Sequence, residues 1–177
     1  MKTTLLLTAT LFASLLTSIL AGAAHASNLP MPAKVPRAEI AGQYSRPHLI
    51  GFLSYRDQAA CEGDQGKWDG DADGGVCMME ASDDVTVTTA KSPGHAGQYD
   101  LQISTVTTNA HMCDFTEPAR LIGADVLQAK QKNDDGMCIV TATFKKDRSA
   151  VSISTSGSCQ YNCGMNASLD IDQALRK

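Results

Sequence analysis

The sequence predicts an all-β domain, a small antiparallel sandwich or barrel with a short N-terminal helix, stapled by disulfides. Three observations carry this expectation. After residue 80, apolar residues alternate with Thr, Ser, Asp and Gln, the period-two pattern of half-buried strands. Clusters of Gly, Pro, Asn, Asp and Ser separate those runs at roughly ten-residue spacing. The chain also carries six cysteines behind an export-type leader, which read as three disulfides.

In chain order, residues 1–26 read as a signal peptide. Lys2 precedes an uncharged apolar run over residues 5–20, and Ala24-His25-Ala26 offers a cleavage site before Ser27. The run is short for a spanning helix, which needs about 20 residues. The mature chain is therefore expected to be periplasmic or secreted, with no membrane insertion after cleavage. Residues 27–48 hold four prolines and read as a Pro-rich leader, and residues 49–177 as a single β-rich domain. Residues 49–63 are expected to hold the short helix, with Ser54 as N-cap and Asp57 in the first turn.

Strands follow. Val85 and Val87 alternate with Thr86 and Thr88; Tyr99, Leu101 and Ile103 with Asp100, Gln102 and Ser104; Val151 and Ile153 with Ser152 and Ser154. Residues 118–132 are open between strand and helix. The string Ala-Gly-Gln-Tyr occurs at 41–44 and again at 96–99 with nothing repeated around it, a coincidence or at most two similar strand starts.

Cys61 and Cys77 bracket an acidic loop and are expected to pair. Cys113, Cys138, Cys159 and Cys163 fall on the apolar phase of their strands, which predicts core cystines with the pairing left open. A zinc site would need closely spaced cysteine pairs, and only Cys159 and Cys163 approach that. The formal charge is −4, and removing residues 1–26 takes Lys2 and no acid, leaving −5. With no Lys/Arg cluster to neutralise phosphates, this balance argues against nucleic acid and for a basic protein partner.

Residues 69–80 read D-G-D-A-D-G-G-V-C-M-M-E and fit the spacing of a calcium loop at each fixed position. Three carboxylates within five residues repel unless a cation or solvent screens them. In this stretch the chain resembles an EF-hand-like loop. That resemblance implies Asp69, Asp71 and Asp73 as monodentate ligands, Gly75 as a carbonyl ligand, Glu80 as the bidentate closure, and calcium as cofactor. The same residues also suit an Asp/Gly-rich hairpin tip between strands at Lys67-Trp68 and Val76-Cys77, and both readings stand at this stage. Asp83, Asp84 and the β-branched residues after Glu80 leave the exiting helix missing or barely one turn long, and Cys77 occupies a ligand position.

No nucleophile elbow, phosphate loop or His-Glu-x-x-His motif is present, and His48, His95 and His111 lie in different segments, so the expectation is a non-catalytic protein. The combination of signal peptide, small cystine-stapled β-domain and acidic charge resembles the periplasmic lysozyme inhibitors of bacteria and immunity proteins against wall-degrading effectors. Ser156-Gly157-Ser158-Cys159-Gln160-Tyr161 is similar in part to a Ser-Gly-rich inhibitory loop in one such family. The resemblance implies inhibition of a basic cell-wall hydrolase. The competing expectation is a calcium-stabilised envelope accessory or structural protein.

Overall fold

The computed structural model describes residues 40–71, 74–91 and 97–177, which belong to one compact unit. The signal peptide and most of the leader lie outside the described residues, as do Asp73 and His95.

Nine strands form in order: β1 (Gly42–Phe52), β2 (Lys67–Asp71), β3 (Gly74–Thr89), β4 (Tyr99–Thr107), β5 (His111–Gly123), β6 (Val126–Asn133), β7 (Gly136–Phe144), β8 (Ala150–Gly157) and β9 (Ile171–Arg176). One helix, α1 (Gln58–Gly63), separates β1 from β2. The sheet runs β1-β9-β8-β7-β6-β5-β4-β3, and β1 also pairs with β3, so eight antiparallel strands close into a barrel with β2 added beside β3. Closure leaves few free edges, the usual β-protein remedy for edge pairing.

The period-two pattern decides which side faces in. Tyr44, Val85, Val87, Leu101, Ile103 and Phe115 are fully buried and form one core with the inward residues of the other strands. Small residues such as Ala119, Ala129, Ala142 and Ala174 alternate with these, making room for the Tyr44 and Phe144 rings, whose centroids lie 5.7 Å apart.

Three local expectations change. The leader does not reach residue 48, because β1 begins at Gly42 and buries Tyr44, whose hydroxyl donates to the Ile40 carbonyl. Pro47 misled that reading, yet it sits within the β1–β3 ladder opposite Ser82. The helix is capped not by Ser54 but by Asp57, whose carboxylate accepts from the Ala60 amide at 2.9 Å. Residues 118–132 form no helix: they are the end of β5, a tight turn at Ala124-Asp125 and most of β6. The tyrosines of the two Ala-Gly-Gln-Tyr strings both lie in the opening residues of strands, Tyr44 in β1 and Tyr99 as the first residue of β4, and both are fully buried.

All six cysteines pair. Cys61–Cys77 forms as its bracketing position predicts, and the others join Cys113 to Cys163 and Cys138 to Cys159. All three bonds gather at one end of the barrel, where β1, β4, β6 and β8 finish. There the β8–β9 connection, residues 158–170, crosses the barrel end as a cap. It is bonded to β7 through the Ser158 amide and the Met137 carbonyl, and to β5 through the Gly164 amide and the Met112 carbonyl. It touches β4 where the Thr105 hydroxyl donates to the Ser168 carbonyl, and its Ala167 and Leu169 plug the core. Three cystines in so small a domain mark an oxidising environment.

Candidate binding surface

The stapled end holds the polar side chains that point into the barrel. Arg46 and His48 share the inward phase of β1 with Tyr44 and Ile50, and Asp83 lies directly opposite Arg46 on β3. Asp83 is only 1% exposed, so its charge requires partners. Arg46 supplies two hydrogen bonds to Asp83 Oδ2, from Nε at 2.9 Å and Nη2 at 2.6 Å, and the Val106 amide donates to Oδ1 at 3.0 Å. The His48 ring nitrogens face the Arg46 and Val106 carbonyls at 3.2 and 3.0 Å.

This cluster binds β1, β3 and β4 together at the point where β4 leaves β3. β4 pairs with β3 only as far as Asp84, while β1 continues alongside β3 to Cys77. The Asp83 side chain thus takes up the Val106 amide beyond the last β3–β4 pair. A crevice of about 260 Å³ opens beside it, lined by Thr105 and Asp170 among others. His48 is already engaged by carbonyls, Asp83 by Arg46, and Asp170 by the Thr155 amide and hydroxyl and by Ser168. These contacts hold the barrel mouth together.

The acidic loop is a hairpin. Asp69 pairs with Val76, Gly70 with Gly75 and Asp71 with Gly74, so Lys67-Trp68 and Val76-Cys77 are its two strands. The glycines have steric reasons. A Cβ on Gly75 would overlap the Trp68 ring, and one on Gly70 would overlap the facing backbone. Asp69 and Asp71 share a face at the tip and are exposed. Glu80 does not join them: it sits opposite Leu49 on β1, four residues beyond the partner of Asp69 and therefore about 13 Å further along the strand. The extended backbone of β3 prevents the winding that would return Glu80 as a bidentate ligand. Among the described residues no three His, Cys, Asp or Glu side chains converge as a metal site. The Cys61–Cys77 bond clamps α1 onto this hairpin, and Gly66 leaves space for its sulfurs.

Charge is distributed unevenly over the molecule. The stapled end carries Glu62, Asp64, Asp69 and Asp71 around the hairpin and Asp134 and Asp135 in the β6–β7 turn, against Arg56, Lys67 and Lys132. No Lys or Arg occurs from residue 101 to 119 or from 149 to 175, the segments that build the cap and the strands beneath it. The same end exposes apolar side chains, including Met165 at 73%, Leu53 at 65%, Tyr161 at 59% and Met112 at 50%. Residues 156–161 finish β8 and form a 3-10 turn, with Tyr161 outward and Cys159 buried beneath it.

Sequence reasoning missed Arg46 and Asp83, hidden in the supposed leader and behind the calcium motif. It also missed the exposed methionines. Their signal was available: Met112 and Met137 precede inward cysteines on strands, so alternation turns them outward. No family model, curated protein or solved structure matches this chain.

Proposed function

We propose that this is an exported, non-catalytic binding protein of the periplasm or extracellular space, which binds and inhibits a basic enzyme of the cell-wall hydrolase class. The observation that carries the reading is the acidic, cystine-stapled end of the barrel, where exposed Tyr and Met side chains sit among carboxylates on a rigid support. Aromatic and Met side chains with few Lys residues are what protein-binding patches favour. The surrounding negative charge would speed encounter with a basic partner. The hairpin tip at Asp69 and Asp71 and the turn at residues 156–161 are the contact segments. Residues 1–26 supply export.

The test is turnover of cell walls by a lysozyme-type hydrolase with increasing amounts of the protein. Inhibition should be complete near a stoichiometric ratio and should weaken as salt screens charge over about 8 Å at physiological ionic strength. Unchanged turnover across a panel of basic wall hydrolases would sink the proposal and favour an envelope accessory role.

A further inference from the structure

The opposite end of the barrel has the reverse chemistry. β5 ends in Leu121-Ile122-Gly123 and turns at Ala124-Asp125, and the turn after β7 reads Lys145-Lys146-Asp147-Arg148. The two turns are sewn together. The Phe144 amide donates to the Asp125 carbonyl at 2.9 Å, and Arg148 donates to Asp125 Oδ1 at 2.5 Å and to the Ala124 carbonyl at 3.3 Å. Arg148 is only 4% exposed and neutralises Asp125, the one acid of the apolar turn. What this joint surface shows to solvent is Ile122, 59% exposed, and Leu121, 39% exposed, beside Arg120, Lys145 and Lys146. Two counter-charges remain: Asp147, whose carboxyl the Ser149 hydroxyl and amide hold below the ordinary range, and Glu117, which shares a groove with Arg120, Ile122 and Lys130 and accepts from Gln131 at 2.9 Å.

We propose that this apolar turn flanked by cations docks on an anionic lipid surface. The Ile122 side chain enters the headgroup layer, while Arg120, Lys145 and Lys146 meet lipid phosphates. Two bulky apolar side chains at a turn are too few for a protein interface of ordinary size, which buries about 800 Å² per partner. They suffice for partition, because a lipid surface needs no complementary pocket. Each cation near an anionic bilayer contributes about 1 kcal/mol, so three compensate for the weak anchoring of one turn. Attachment is peripheral: no helix among the described residues is long and apolar enough to cross a membrane. Docked in this way, the barrel holds its acidic end towards the surrounding solution.

The test is co-sedimentation of the purified exported protein with vesicles of phosphatidylcholine alone, and of phosphatidylcholine with phosphatidylglycerol. We expect binding to the anionic vesicles only. Ile122→Ser and the pair Lys145→Glu with Lys146→Glu should each lower the bound fraction at least about threefold, since each removes about 1 kcal/mol or more. Met165→Ser, at the other end, should leave it unchanged. All four positions are exposed, and a melting curve for each variant confirms its fold. The proposal is overturned by any of three results: no preference for anionic vesicles, binding that survives Ile122→Ser and so is adsorption by charge alone, or an equal loss in Met165→Ser. Recovery of a protein partner that needs Ile122, with no vesicle binding, would reassign the surface to protein contact.

Discussion

Asp83 shows how one residue joins sequence to architecture. A carboxylate at 1% exposure is tolerated because Arg46 and the Val106 amide satisfy both of its oxygens. Replacing it with Ala leaves the partly exposed Arg46 guanidinium and that amide without an acceptor. We expect Asp83→Ala to cost about 2–3 kcal/mol, read as a lower urea midpoint with unchanged slope. A loss under 0.5 kcal/mol, which is about the effect of an ordinary surface change, would show that the cluster is not structural. The hairpin residues carry a second expectation. With Glu80 held away by β3, calcium at the tip would lack its bidentate closure beside Asp69 and Asp71, the weak millimolar class of site. By linkage, 1 mM calcium then stabilises the fold by no more than about 0.4 kcal/mol. A rise in melting temperature beyond a few degrees, abolished by Asp71→Ala, would restore the wound loop.

Among the elements, the cap and the hairpin differ in how they are held. Cys113–Cys163 closes a separation of 50 residues and Cys61–Cys77 one of 16. If chain entropy dominates, Cys113→Ser with Cys163→Ser should cost about 1 kcal/mol more than the Cys61/Cys77 double serine variant. Calorimetry of the two variants decides this, and equal costs would contradict it. The C-terminal strand has its own tie, because Lys177 donates to Asp84 at 2.8 Å. Partial burial works to raise the Asp84 carboxyl, but hydrogen bonds from Lys177, Ser82 and Ser45 outweigh it and hold the group below its ordinary value. Its contribution to stability is therefore present above the unfolded carboxyl value and is lost as pH falls through the lower folded one.

Much at this level was legible beforehand. The alternation of Val85, Val87, Leu101 and Ile103 located strands because a barrel wall has one buried face. The Cys61–Cys77 pairing followed from two cysteines flanking one short hairpin. What stayed hidden depends on distant segments. Pairing of Cys113 with Cys163 needs the cap to cross the barrel end, which no local pattern announces. β1 was obscured because prolines 30, 32 and 36 dominate the composition just before Gly42, and Pro47 lies inside the strand. The calcium motif left two readings open because Asp and Gly serve a hairpin tip and an ion loop equally well; the register adds that the flanking residues pair as a hairpin and that Glu80 lies along β3 away from Asp69 and Asp71.

Over the whole molecule, charge and covalent stapling coincide. The barrel gathers its three cystines, its exposed Tyr and Met residues and an excess of carboxylates at one end, and Lys145, Lys146, Arg176 and Lys177 at the other. A net charge of −4 conceals this separation. An inhibitor gains from it, since like charges at the far end do not oppose the approach of a basic enzyme. The most direct test is titration of wall-hydrolase turnover with the wild-type protein and two charge-reversed variants, Asp69→Lys with Asp71→Lys and Lys145→Glu with Lys146→Glu. The account predicts near-stoichiometric inhibition by the wild type, a loss of about tenfold or more in potency for the hairpin variant, and no loss for the other. Equal potency in all three, or inhibition by none, would contradict it.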